Sequence, residues 1–486
     1  MKISDYFKLG VCQRELDFVD LEVNKDLPLF VNPRLILSSE TPYTKSAISS
    51  IQSLFNELIT LIKNGKKAEA LEIIVQSEEL NEIHLGFSKS TSCGRGFGKE
   101  TSEKLVDSLI KSAAAQTGLI ESIEDLYLFV DGVGNDRLSD LTGRAILKQL
   151  FQYTIEQCKL WNIPLQTGVA SPSYWDQSLK EFKHDYIDTL VINGSVHILI
   201  PKMFVSRTNK YEAKTFVFDQ DFGLHYFYEE LISFAKTLKD VKRDKNGEPI
   251  ITDELRNEFR TQMGATTNKG LASFLAQKHD SILPKFKKEI VDSSFEHLPI
   301  DDQEKADFAM KADELMKDLT SLPSGPGTCH DYEKLVQRMM GFLFCNDLAL
   351  PRSQLPIEGG EQIVDIAYDR IATQGIFADL ENKYKITCPI VFVECKNYSD
   401  DIGNPELAQI NLRLGANGHF GVLCCRKLEE RSRLIAKLVH NFKNTRNLIV
   451  VITDNDFLKM LDDSKKEFMP KYEAKVRSLI DEVFVG

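Results

Sequence analysis

Residues 389–396 read Pro-Ile-Val-Phe-Val-Glu-Cys-Lys, and this stretch constrains the chain more than any other. Five consecutive apolar residues predict a buried strand, and its end sets Glu394 and Lys396 two positions apart. Strand side chains alternate, so Glu394 and Lys396 share one face while Val393 and Cys395 point to the other. The fold must therefore carry a carboxylate and an ammonium together at the end of a hydrophobic strand. Glu-x-Lys is common in this sequence, recurring at Glu181/Lys183, Glu212/Lys214, Glu381/Lys383 and Glu473/Lys475. None of those directly follows so apolar a run. An ion pair on an edge strand is the plain structural alternative.

The segment SLPSGPGT, residues 321–328, is the clearest boundary, because its two prolines and two glycines cannot continue a helix. Beyond it the elements predict the order αβββαβαβα, a mixed sheet flanked by helices. The helix is CHDYEKLVQRMMGFLF, followed by strands LALPRSQLP, EQIVDIAYD and PIVFVECKN. A helix through NPELAQINLRLG, the strand HFGVLCC, a basic helix and the strand NLIVVIT follow. Before the boundary, residues 1–240 mix strand candidates (LPLFVNPRLI, DLYLFVD, SVHILIPKMFV) with helical stretches, which predicts an α/β or α+β domain. Residues 241–324 are polar and helix-forming and predict a helical connector. Residues 325–486 form the last domain.

Asp365 lies within Gln362-Ile363-Val364-Asp365-Ile366-Ala367-Tyr368, an alternating strand. An Asp inside a strand is disfavoured and costly to bury unless something pairs with it. If this strand lies beside PIVFVECKN, Asp365 and Glu394 converge with Lys396 next to them. Two carboxylates of this kind can hold Mg²⁺ through oxygens and leave positions for water and a phosphate.

Asp365, Glu394-Cys395-Lys396, Glu333 on the preceding helix and Gln409 on the following one together resemble the PD-(D/E)xK restriction-endonuclease-like superfamily, over roughly residues 325–460. The resemblance implies a mixed sheet flanked by helices and metal-dependent phosphodiester cleavage. It implies Asp365 and Glu394 as ligands of Mg²⁺ (Mn²⁺ as a substitute), the Cys395 carbonyl as a third ligand, and Lys396 as the catalytic lysine. Glu333 matches the helical acid that joins the metal shell through water, and Gln409 the polar residue one helix after the lysine. Val364 stands where the family has the proline of its name. The 29-residue interval from 365 to 394 is longer than usual, so RIATQGIFADLENKYKITC must form an insertion that leaves the site in place. The whole chain also resembles uncharacterised bacterial proteins of restriction or phage defence, through GRGFGKETSEKLVDSLIKS, DGVGNDRLSDLTGRAI and VECKNYSDDIGNPELAQ.

The net charge of −12 over 486 residues argues against a protein that coats nucleic acid through overall charge. It leaves room for a local basic groove. The densest positive segment is 426–446, with Arg426, Lys427, Arg431, Arg433, Lys437, Lys443 and Arg446 against Glu429 and Glu430. Its first five basic residues are the candidate nucleic-acid contacts. Arg95 and Lys99, in the glycine-rich stretch CGRGFGKET, are a second candidate anion contact. That stretch is not a Walker loop, since Cys93 and Glu100 stand where Gly and Ser or Thr are needed. Nine cysteines without a CxxC pair predict reduced thiols. The amino terminus MKISDYFKLG lacks a signal-peptide core and no stretch is apolar enough to span a bilayer, so a cytoplasmic protein without membrane partner is expected.

The expectation is a Mg²⁺-dependent DNA endonuclease of bacterial defence, with the amino-terminal half recognising the target, assembling a homo-oligomer or a complex with a partner defence protein, or gating the site. A catalytically silent nucleic-acid-binding or sensor protein and an RNA-cleaving toxin nuclease are the competing classes.

Overall fold

In a computed structural model, residues 1–486 are described except 40, 78–79, 87–98, 291–301, 358–359, 399, 416–417 and 486. The buried apolar residues fall into two cores. The first runs from Ile3 to Phe286 and also takes in Ala349 and Leu350, whereas the second runs from Phe308 to Val483. The architecture is mixed α/β throughout.

The first core is built on two long helices, Pro42–Lys63 and Asn135–Leu160. Around them, among the described residues, lie small sheets: a three-stranded antiparallel one (Gln166–Ala170, Tyr186–Ile192, Ser195–His197) and two two-stranded ribbons. All three expected strands are mostly something else: SVHILIPKMFV is strand only at Ser195–His197 and at Val205, with a 3₁₀ turn over Lys202–Phe204 between them. DLYLFVD is a helix over Asp125–Phe129. The Asp125 carboxylate accepts the Glu121 and Ser122 N–H groups at 2.9 and 3.0 Å and turns the chain there. A short run buried all round looks the same in sequence whichever element it forms. LPLFVNPRLI keeps a strand only at Phe30–Val31, because Asn32 caps a helix over Pro33–Leu37 by accepting the Arg34 N–H at 3.0 Å.

The described residues of the stretch 241–324, expected as a connector, form no core of their own. Its helices Asp253–Gln262, Asn268–Lys278 and Ile282–Glu289 bury Phe259, Leu275 and Phe286 in the first core. Its last helix, α1 (Asp302–Ser321), buries Phe308, Leu315 and Leu319 in the second. The polar surface of these helices hid the apolar faces that each turns inward.

The second core is covered by α1, α2 (Cys329–Phe344), β1 (Leu348–Ile357), β2 (Gln362–Arg370), α3 (Gly375–Asn382), β3 (Ile390–Lys396), α4 (Asn404–Arg413), β4 (Phe420–Cys425), α5 (Arg431–Thr445), β5 (Leu448–Thr453), α6 (Asp454–Glu467) and α7 (Glu473–Phe484). One five-stranded sheet has the order β5-β4-β3-β2-β1. β1, β2 and β3 are antiparallel, and β3, β4 and β5 are parallel. β4 and β5 are buried at every position, as parallel strands covered on both faces must be. The element order follows the sequence expectation with one helix added, α3, within the segment read as an insertion. It buries Ile376, Phe377 and Leu380. It leaves the β2–β3 hairpin at the end where Asp369 pairs Ile390, four positions along the strand from Asp365, about 13 Å away at normal strand rise.

The two cores meet at a polar joint. Asp17 accepts the Leu350 N–H at 2.8 Å, and Glu15 accepts from Arg338 Nε on α2 at 2.7 Å. Lys311 on α1 donates to the Gly10 carbonyl at 2.8 Å. Among the described residues no helix is long and apolar enough to cross a membrane.

Candidate active site

The β2–β3 ladder pairs Phe392 with Ala367 and Val393 with Ile366. The next rung would set Glu394 opposite Asp365, and directly opposed residues of an antiparallel pair project from the same face. Here the ladder ends, and the freed Cys395 N–H donates to Asp365 Oδ2 at 2.8 Å. Asp365 and Glu394 therefore lie on one side of the sheet, with Lys396 two residues further on.

α4 lies over this side. Gln409 and Arg413 are four apart on that helix and so share a face, and each meets one member of the Glu-x-Lys pair. Gln409 Oε1 accepts from Lys396 Nζ at 2.9 Å. The Arg413 guanidinium is in direct ion contact with Glu394. Lys396 Nζ is also 3.5 Å from Glu394 Oε2. Glu394 is fully buried, and Lys396 and Arg413 are 9% and 8% exposed. A carboxylate without access to water needs such counter-charges to remain ionised. Burial lowers the pKa of Arg413, and the Asp365 carboxylate opposes that shift.

α2 covers the other side of the sheet, where Tyr368 donates to the Gln337 carbonyl at 3.4 Å. From its first turns Glu333 reaches the rim of the cluster. Glu333 accepts from Gln354 Nε2 of β1 at 3.0 Å, and His330 Nδ1 stands 3.6 Å away, largely exposed. Burial raises the Glu333 carboxyl pKa, and the nearby charge of Asp365 raises it further. Asp365 and Glu333 are both half-buried, so the cluster has a closed inner pair and a rim that meets solvent.

Asp365, Glu394, Lys396, Glu333 and Gln409 are thus brought together around one strand end. Cys395 lies in the β3–β4 ladder opposite Cys424. Its thiol pKa is held far above the ordinary value by burial, by Cys424 and by the Asp365 and Glu333 charges, which removes it as a thiolate nucleophile. All eight cysteines described are free. The donor types fit a hard divalent cation: Asp365 and Glu394 share one side of the sheet at the strand end, and the charge of Asp365 already disturbs Glu333. Among the described residues no three potential ligand side chains are already drawn together as a set, and the inner acid is instead balanced by Arg413. Sequence reading missed Arg413 and Gln354. The spacing of Gln409 and Arg413 on one helix face was the available signal for the first, whereas nothing local marks Gln354.

The basic segment differs from the free stripe its composition suggests. Arg426 is turned inward. Its Nε is 3.0 Å from Asp454, its Nη2 donates to the Leu322 carbonyl at 2.6 Å, and it lies over the Tyr332 ring at 5.1 Å. It ties the end of α1 to the start of α6, which a charge count cannot reveal. Lys427, Arg431 and Arg433 pair with Glu429, Glu482 and Glu430 at 2.6, 2.7 and 2.8 Å. The Lys427 and Arg433 pairs are solvent-exposed and weak enough to exchange partners with a phosphate, whereas the Arg431 pair is partly buried. Lys437 is half-buried and makes no ion pair among the described residues. Arg95 lies outside the described residues. Lys99 opens the helix Lys99–Lys111.

Residues 8–212 match the model of a domain of unknown function, DUF8370. The match covers less than half of the chain and ends well before the candidate site. It lies within the first core, which continues through the helices up to Phe286. No curated protein and no solved structure matches the chain.

Proposed function

We propose that the carboxyl-terminal unit is a metal-dependent nuclease with a restriction-endonuclease-like fold, and that it cleaves phosphodiester bonds in DNA. The observation that carries this reading is the meeting of Asp365, Glu394 and Lys396 where the β2–β3 ladder ends, with Glu333 at the rim. Asp365 and Glu394 would hold Mg²⁺, with the Cys395 carbonyl and Glu333 as outer candidates. Mg²⁺ held there supplies a more acidic water and neutralises charge on the scissile phosphate. Gln409 fixes the Lys396 ammonium, which orients the attacking water or stabilises negative charge building on the phosphate. Gln354 fixes the Glu333 carboxyl, which can bind or take a proton from water at the rim. The choice of DNA, a role in bacterial defence in the cytoplasm and a homo-oligomeric or partnered assembly follow from the sequence resemblance. In this reading the unit that contains the DUF8370 match recognises the target or gates the site.

The test is incubation of purified protein with plasmid DNA and with RNA in Mg²⁺, Mn²⁺ or EDTA. Cleavage in metal, none in EDTA, and preference for DNA are expected. Cleavage of RNA alone would make the protein a ribonuclease at the same site. A second reading, a catalytically silent nucleic-acid-binding protein, is favoured by the contact of Arg413 with Glu394, which looks like a permanent structural ion pair. Binding of DNA without cleavage in any metal would support it.

A further inference from the structure

We infer that Arg413 is a resident counter-ion that occupies the cation position of Glu394 and competes with the divalent metal for it. The inference rests on the nuclease reading and explains the contact that otherwise counts against it. Glu394 is fully buried, so its charge cannot be left unbalanced at any stage. Lys396 is one counter-charge, 3.5 Å away, with its ammonium also directed to Gln409 at 2.9 Å. Arg413 makes the closer contact. No backbone N–H among the described residues donates to Glu394, so side-chain cations are its only partners here, and a side chain can move aside where a backbone group cannot.

The placement of Arg413 fits exchange. It is the last residue of α4, and the next residue, Leu414, has extended backbone angles. The guanidinium therefore hangs from a helix end on a long, rotatable stem. Asp365 attracts it as well, so its charge acts on both acids that would hold the metal. Two positive centres cannot share that space without strong repulsion. Binding a dication at Asp365 and Glu394 thus requires Arg413 to withdraw toward the rim. In this role Arg413 is a positioning residue: it balances the Glu394 charge and holds the side chain in place before the metal arrives, and it sets how much metal is needed.

The experiment uses the full chain with Mn²⁺ as the probe, read as free Mn²⁺ by electron paramagnetic resonance and as the Mn²⁺-induced rise in Tm. Arg413→Gln removes the competing charge. It should bind Mn²⁺ about tenfold more tightly than wild type, one factor of ten corresponding to about 1.4 kcal/mol. Without metal its Tm should fall below that of wild type, and Mn²⁺ should restore it by a larger increment than wild type shows. Arg413→Lys, which keeps the charge, should fall between the two. An Arg413→Gln protein that binds Mn²⁺ no more tightly than wild type, while wild type binds in an Asp365-dependent way, overturns this inference and leaves the nuclease reading standing. Failure of Arg413→Gln to fold even in Mn²⁺, with wild-type affinity in Arg413→Lys, also overturns it. Absence of Mn²⁺ binding in wild type and all variants overturns both readings.

Discussion

Asp125 in the first core and Glu394 in the second are both completely buried carboxylates, yet they are held in opposite ways. Asp125 is anchored by backbone donors, the Glu121 and Ser122 N–H groups, to which the Tyr211 hydroxyl at 2.7 Å and the Lys287 ammonium at 2.9 Å add. It closes a helix start and stitches distant segments together. Glu394 has only the side-chain cations Arg413 and Lys396 as partners among the described residues, and it stands beside Asp365 and Glu333. A buried acid bound by backbone donors is committed to structure. One balanced by movable cations, next to further acids, is poised to exchange its partner.

The sharpest way to break that comparison is to delete one acid of each kind. Asp125→Ala should cost about 3 kcal/mol or more in chemical denaturation, because Lys287 and the Tyr211 hydroxyl lose a buried partner. Its Mn²⁺ affinity per folded molecule should be unchanged. Asp365→Ala should do the reverse, keeping most of the stability and losing Mn²⁺ binding. Equal losses of stability with no change in metal binding for both variants would make the two acids the same kind of residue.

Next in size is Lys396→Ala, which leaves both carboxylates and Arg413 in place. Cleavage should drop on the order of a hundredfold or more while Mn²⁺ binding largely survives, the loss typical of a positioned electrostatic or proton-handling group. Single-turnover cleavage of plasmid measured beside Mn²⁺ titration separates the two effects. If wild type cleaves and Lys396→Ala cleaves equally fast, the Glu-x-Lys pair is an ordinary strand-end ion pair.

Glu333→Gln is a smaller test, and it is read through pH. The folded-state pKa of Glu333 lies above its ordinary value of 4.5, so the native state holds that proton more tightly than the unfolded chain. Stability contributed by this group is therefore complete below pH 4.5 and is lost as pH rises through the raised value. Tm against pH should show the Gln variant gaining on wild type above that range, with the gain shrinking in saturating Mg²⁺, which supplies the missing counter-charge. Cleavage should fall about tenfold to a hundredfold, as for residues that support a metal shell from outside. Parallel Tm profiles across pH would detach Glu333 from the acid cluster.

The smallest effect is expected at the basic helix. Arg431→Glu together with Arg433→Glu should weaken DNA binding and lower the salt slope by about two, with little change in fold. Arg426→Ala, by contrast, should act on stability, because Asp454 and the Leu322 carbonyl lose their partner. Unchanged DNA affinity in the double variant would move the interface away from α5.

Part of the site was legible from local pattern alone. The alternation around Asp365, the apolar run before Glu394 and the spacing to Lys396 are properties of strands, and strand periodicity is short-range. The segment 370–388 could be read as an insertion from the 29-residue interval, but not where it would sit. Its placement at the far end of the hairpin follows from the antiparallel pairing of Asp369 with Ile390. The helix at Asp125–Phe129 escaped because an apolar run of that length carries no period of its own, and side-chain acceptance by Asp125 decided the outcome.

The sequence by itself determined which residues form the central strands of the second core, since continuous burial demands continuous apolar character. It likewise determined that an acid interrupts one of those strands and an acid–lysine pair ends the next. Only the tertiary structure decided which charges meet there. Arg413 and Gln354 reach Glu394 and Glu333 from elements 19 and 21 positions away, and Arg426 finds Asp454 across 28. Charge pairing acts through space and is indifferent to sequence distance. The same arginine type therefore becomes a counter-ion in the acid cluster at 413, a structural tie at 426 and a surface cation at 433, according to what the fold places beside it.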